Sequence, residues 1–157
     1  MIDSTGSIRE QVVVGIDPAN AFDLFTTHMT DWWPSHHHIG SAPIEKVIIE
    51  PREGGRWYTR HTDGTETSTG YVLAWEPPSR LVVTWQISTD WSFDTALITK
   101  VELTFTAQDD DRTLVELTHS DFDSYGADAD GMRETFDSPD AWTATLTAFA
   151  ACSEVSA

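Results

Sequence analysis

The stretch from Gly70 to Trp85, GYVLAWEPPSRLVVTW, constrains this chain more than any other. Two runs rich in Val, Leu, Tyr and Trp flank Glu76-Pro77-Pro78-Ser79-Arg80. Proline fixes φ and has no N–H to give to a ladder, so the break is a loop and its flanks read as an antiparallel hairpin. Side chains on a strand alternate between faces. Tyr71, Leu73 and Trp75 are therefore expected on one face of the first arm, and Leu81, Val83 and Trp85 on one face of the second. Such rows of large apolar groups need a covering layer.

The rest of the chain offers candidates for that cover. Residues 1–7 are expected to fray. Ile8 to Ile16 reads as a strand around Val12-Val13-Val14. Asp17-Pro18 opens a helix, with Asp as N-cap and Pro at the first helical position. Phe22, Phe25 and Met29 continue it at helical spacing to about His28, and Trp32-Trp33-Pro34 ends it. Residues 35–43 have loop composition. Ile44–Pro51 and Arg56–His61 are strands turning at Glu53-Gly54-Gly55, and Asp63-Gly64 leads into the strand that becomes Gly70–Trp75. Ser88–Ala96 reads as a loop. Thr99–Thr106 and Thr113–His119 form a second hairpin through Asp109-Asp110-Asp111. Asp121–Asp130 reads as loop, with a helical piece near Met132–Phe136. Ser138-Pro139 then opens a last helix on which Trp142, Leu146 and Phe149 share one face. Antiparallel strands with helices at the two ends predict an α+β fold, the sheet curling round the final helix.

Charge narrows the function classes. Nine Lys and Arg stand against 26 Asp and Glu, a net charge of -17. A surface this acidic repels phosphate backbones and anionic lipid, so neither nucleic acid nor membrane is expected as a partner. One cysteine, Cys152, leaves no intramolecular disulfide and no thiolate-type zinc site. The start, MIDSTGSIRE, lacks the basic and apolar runs of a signal peptide, which gives a cytoplasmic expectation. At 157 residues the expectation is a single domain, 1–157, large enough for a real core.

Several motifs in order carry a resemblance. They are the DPANAFDLF helix, Trp32-Trp33-Pro34, Gly54-Gly55-Arg56-Trp57, Gly70-Tyr71-Val72, Glu76-Pro77-Pro78-Ser79-Arg80-Leu81, Thr84-Trp85 and Thr118-His119. Over about Ile8 to Phe149 the chain resembles the family named after the activator of the heat-shock-protein-90 ATPase, within the START-like (Bet v-like, SRPBCC) superfamily. WWP, GGRWY and THxxF further resemble the enediyne (calicheamicin) self-resistance subgroup, although the acidic hairpin tip Asp109-Asp110-Asp111 lacks a glycine. The resemblance implies a helix-grip fold, a curved antiparallel sheet wrapped around a long C-terminal helix with a cavity between them. It also implies a hydrophobic small-molecule ligand, and no cofactor is expected.

The candidate site follows from the aromatic residues. Trp32, Trp33, Trp57, Tyr71, Trp85, Trp142, Leu146 and Phe149, with His119, are expected as a set to line the cavity, although each aromatic taken singly reads first as core. His61 and His119 end strands with inward parity. They are candidates for a general acid or base, together with Tyr71, against the simpler reading of hydrogen-bonded strand-end histidines. In His36-His37-His38 successive side chains alternate and no further ligand sits at a recognisable spacing, so no metal is expected and the run reads as a surface loop. Arg56, Arg60 and Arg80 are expected to pair with carboxylates. No P-loop, nucleophile elbow or HExxH motif is present. Three functions remain open. The leading one is binding or sequestration of an aromatic or polycyclic molecule; a polyketide cyclase or aromatase is the alternative, and a co-chaperone-like module is a third.

Overall fold

Seven strands are present in the computed structural model, which describes residues 1–156, with one α-helix between the first two strands and the other α-helices after the last. Ala157, part of the expected domain, lies outside the described residues. The strands are β1 (Ile8–Val14), β2 (Ile44–Ile49), β3 (Arg56–His61), β4 (Glu66–Glu76), β5 (Arg80–Trp85), β6 (Thr99–Asp109) and β7 (Arg112–Ser120). They form one antiparallel sheet in the order β1-β7-β6-β5-β4-β3-β2, so the Gly70–Trp85 hairpin lies at its centre. The curved sheet packs against the C-terminal helical segment, which is the helix-grip arrangement expected from the sequence.

Helix α1 (Pro18–Thr26) starts as its sequence dictates. The Asp17 carboxylate accepts the Asn20 N–H at 2.8 Å, satisfying one donor that the first turn leaves free. The helix stops at Thr26, short of His28, and a 3-10 turn at Met29–Asp31 carries Met29 into the core and turns the chain into the tryptophan pair. Phe22, Phe25, Trp32, Phe105 and Phe149 meet there with ring centroids 4.8–5.9 Å apart. These tilted and edge-on contacts suit the ring quadrupole and close this end of the fold.

The central hairpin departs from strict alternation. Val72 pairs with Val83 but Ala74 pairs with Val82, so Leu73 is an extra residue. The bulge shifts the faces by one position. Val72 is buried, whereas Tyr71 and Leu73 are 39% and 43% exposed on the outer face, contrary to the row expected from the sequence. Trp75, beyond the bulge, turns inward against Phe22 at 5.0 Å. The second arm keeps Leu81, Val83 and Trp85 inward as expected. Gly70 is required at the bend, because a Cβ there would lie 1.9 Å from the Thr84 carbonyl oxygen of the neighbouring strand.

Other segments also differ from expectation. Residues 1–7 fold back on β1 instead of fraying. Asp3 accepts the Thr5 and Ser7 N–H groups and the Arg9 guanidinium, and Ile2 bridges Ile8. Residues Phe122–Asp128, read as loop, form a 3-10 helix that buries Phe122 and Tyr125. Their i, i+3 spacing matches the three residues per turn of that helix. Helix α2 (Ala129–Asp137) covers the expected Met132–Phe136 piece. The last helix does not run from Pro139. A π-helical turn at Pro139–Thr143, broken at Ala141 (φ -94°, ψ -123°), precedes α3 (Ala144–Ser156). Along it Trp142, Leu146, Phe149 and Ser153 form the buried stripe.

The cations pair as expected: Arg80 Nε lies 2.6 Å from Glu102, while Arg56 and Arg60 both reach Glu66. Such exposed pairs add little stability. Among the described residues no helix is long and apolar enough to cross a membrane.

Candidate functional site

A cleft of about 630 Å³ opens where β3, β4 and the end of β5 face the 33–39 loop and the broken start of the last helix. Pocket volumes for small molecules run from roughly 300 to 1,000 Å³. Five tryptophans line it, Trp33, Trp57, Trp85 and Trp142 as its walls and Trp91 at its rim. The strands contribute hydroxyls from Thr59, Thr67 and Thr69, and the last helix contributes Thr145.

Each indole reaches its place for a local reason. Trp57 shares the inward face of β3 with Thr59 and His61, and in register it stands across from Gly70 of β4. Trp85 ends β5 on the inward row. Trp33 follows the 3-10 turn, and its N–H is held by the His37 carbonyl at 2.7 Å. Trp142 is turned into the wall by the break at Ala141. The rings meet edge to face, Trp33 on Trp57 at 5.8 Å and Trp85 on Trp142 at 5.5 Å.

Beneath the wall lies His119, fully buried and outside the lining of the cleft. An indole N–H can only donate, so the 3.1 Å contact from Trp142 Nε1 fixes His119 Nδ1 as acceptor. His119 Nε2–H then donates to Thr99 Oγ1 at 2.8 Å, and the Thr99 hydroxyl donates to the Trp85 carbonyl at 2.7 Å. Burial pushes the imidazole pKa down to about 3. A proton on Nδ1 would oppose the Trp142 N–H. The neutral ring on β7 therefore links the Trp142 indole, through the Thr99 hydroxyl on β6, to the Trp85 main-chain carbonyl.

His61 is likewise buried and committed. Its Nδ1–H donates to the Ala42 carbonyl at 2.9 Å, and Nε2 accepts from Thr67 Oγ1 at 2.8 Å. It stands behind Thr67 and His38, both of which line the cleft. Tyr71, on the outer face, reaches no part of it. Trp32, Leu146 and Phe149 belong to the closed core, and the Trp32 N–H is spent on the Leu24 carbonyl at 2.9 Å. Of the expected lining, Trp33, Trp57, Trp85 and Trp142 are thus brought together, and Trp32, Tyr71, His119, Leu146 and Phe149 are not.

The histidine run that reads as surface loop lies at the cleft mouth. His36, His37 and His38 all line it, and His37 fastens it. The break at Ala141 leaves the Asp140 carbonyl to accept His37 Nε2–H at 2.9 Å, while Thr145 Oγ1 lies 3.2 Å from Nδ1. Burial holds the His37 imidazole below its ordinary range, against the Asp140 carbonyl, which favours the proton. Sequence reasoning also missed Trp91, half-exposed at the rim with φ 60°. An aromatic side chain rarely takes that backbone region, so no propensity marks it. Among the described residues no group of three His, Cys, Asp or Glu side chains is placed to hold a metal ion.

A curved antiparallel sheet gripping C-terminal helices, with an indole-walled cleft at one end, defines a START-like helix-grip protein. The chain belongs to the family described as Activator of Hsp90 ATPase homolog 1-like protein, whose model matches residues 16–154. Among solved structures it is similar to Txn09, an anthrahydroquino-γ-pyrone synthase solved in complex with SUM. That similarity has 33% identity, covers 92% of this chain and 94% of Txn09, and has a TM-score of 0.65. It is also similar to CalC, a self-sacrificing resistance protein from Micromonospora echinospora, at 24% identity over 96% and 95% of the two chains with a TM-score of 0.70. A Plasmodium falciparum HSP90 activator shares 16% identity over 73% of this chain and 71% of its own, with a TM-score of 0.51. Among curated proteins none matches the chain.

Proposed function

We propose that the protein binds a flat polycyclic aromatic molecule in the indole-walled cleft. The observation that carries this reading is the convergence of Trp33, Trp57, Trp85 and Trp142 on one open volume of about 630 Å³. Indole faces supply apolar area at low entropic cost, and the threonine hydroxyls supply a few polar contacts to set orientation. Sequestration needs no more than this.

The test is a titration of intrinsic Trp fluorescence with anthraquinones and larger fused-ring ketones. Saturable quenching with micromolar affinity is expected, weakened about tenfold or more in Trp33→Ala, which removes a rim indole. A flat response from the wild type across the panel overturns the reading.

A second reading is favoured by sequence: the relative at 33% identity is an anthrahydroquino-γ-pyrone synthase. On this reading the cleft folds a keto substrate for cyclisation. Its acid or base then comes from His36–His38 at the mouth, since His61, His119 and Tyr71 do not line the cleft. Formation of a new product, followed by mass spectrometry, separates it from sequestration. The co-chaperone reading rests on the family description alone.

A further inference from the structure

The cleft indoles are not equivalent in their hydrogen bonding. Trp33 donates to the His37 carbonyl and Trp142 to His119, and in the core Trp32 donates to the Leu24 carbonyl. Trp57 and Trp85 donate to nothing. Their Nε1 atoms are the two buried side-chain polar atoms without a hydrogen-bond partner among the described residues. Folded proteins leave few such groups, because a buried donor without an acceptor loses its hydration for no return.

Their situations differ. Trp85 has the Tyr125 hydroxyl nearby, although no hydrogen bond of ordinary geometry joins them. Burial pushes that phenol up to about 12 and the indole pulls it back, while its own proton goes to the Ile87 carbonyl at 2.7 Å. An oxygen lone pair is therefore within the protein's own reach of Trp85. Trp57 has no such neighbour. Its ring forms part of the partition between the cleft and a small interior void lined entirely by hydrophobic side chains, among them Phe25, Met29, Ile49 and Leu81. Nothing on that inner side accepts a hydrogen bond. Of the two cavities that the Trp57 ring borders, only the cleft can bring an acceptor.

Resting on the cleft-binding reading above, we infer that the ligand carries a neutral ring carbonyl, of quinone or aryl-ketone type, which accepts the Trp57 indole N–H. Charge and polarity select that group. The cleft lining contains Asp140 but no Lys or Arg, only the histidines at its mouth, and the chain carries a net charge of -17, so a carboxylate or phosphate finds no permanent counter-charge beside Trp57. A hydroxyl also accepts but must place its own proton, and the Trp33 and Trp85 rings packed on Trp57 offer it no acceptor. A carbonyl oxygen accepts and asks for nothing back. Because the nitrogen is covered in the ligand-free protein, the contact requires the ring to turn as the ligand seats.

Two probes of one shape test this: 2-(hydroxymethyl)anthraquinone, with ring carbonyls, and 2-(hydroxymethyl)anthracene, without them. Each is titrated into the wild type and Trp57→Phe, a change that removes the N–H and keeps an aromatic ring. On going from wild type to Trp57→Phe, the quinone is expected to lose about tenfold more affinity than the anthracene. Taking the ratio of the two effects cancels differences in stacking. In the ¹H–¹⁵N spectrum of the wild type, the Trp57 indole proton is expected to move downfield with the quinone alone. That readout stands even if the variant fails to fold. Equal weakening of both probes, no weakening of either, or an unmoved resonance overturns the inference and leaves the cleft as a binding site, whereas failure of both probes to bind the wild type overturns the cleft reading with it.

Discussion

Trp32 and Trp33 are neighbours in the chain and belong to different worlds in the fold. Trp32 joins Phe22, Phe25, Phe105 and Phe149 in a closed cluster, its N–H spent on the Leu24 carbonyl. Trp33 turns the other way, to the cleft wall with Trp57, Trp85 and Trp142. Both clusters use edge-on and tilted aromatic contacts, yet one is filled and the other encloses about 630 Å³. The difference lies in what covers them. Helices α1 and α3 press directly on the first. Over the second, the break at Ala141 and the His37-anchored loop hold the covering segments apart. Aromatic density therefore does not distinguish core from site; closure does.

The comparison breaks if the two clusters respond alike to substitution. The largest effect is expected at Phe149, fully buried between Phe25 and Trp32. Phe149→Ala should lose about 3–5 kcal/mol of stability by urea denaturation. A loss no larger than that of Trp33→Ala would show the closed cluster to be no more of a core than the cleft wall.

His119, under the boundary of the cleft, sharpens the comparison through pH. Its pKa is near 6.5 in the unfolded chain and about 3 in the folded one. Below pH 6.5 the unfolded chain binds a proton that the folded protein refuses, so stability falls as pH drops from 6.5 towards 3 and is undiminished above. The slope reaches at most about 1.4 kcal/mol per pH unit. His37, also held low by burial, adds in the same direction. Urea midpoints measured between pH 7 and 4.5 should therefore fall steeply for the wild type and less steeply for His119→Gln. Equal slopes would mean that the imidazole is not held neutral.

The smallest effect is expected on the outer face. Tyr71→Ala removes an exposed side chain in edge contact with Phe93 and should change stability by no more than about 0.5 kcal/mol, with unchanged affinity for fused-ring ligands. Weakened binding in a fluorescence titration would place Tyr71 in the site after all and restore the unbroken alternation of β4.

Much of this fold was legible in the chain. Local chemistry determined it: Asp17-Pro18 sets a helix start, and strict alternation turns Trp57, Thr59 and His61 inward, as it does Val115, Leu117 and His119. The order of the motifs sufficed to indicate the family and its helix-grip architecture. Four of the cleft indoles were among the nine residues expected to line it, because the pattern marks large inward aromatics without saying whether they join core or cleft.

Three decisions belonged to the tertiary structure. A bulge at Leu73 sends Tyr71 outward and Trp75 inward, a break at Ala141 swings Trp142 into the wall, and the turn after α1 divides Trp32 from Trp33. Period and propensity are properties of neighbouring residues, whereas register is settled between strands. Whether an indole becomes core or cleft wall depends on segments more than a hundred positions away, as His37 meeting Asp140 shows.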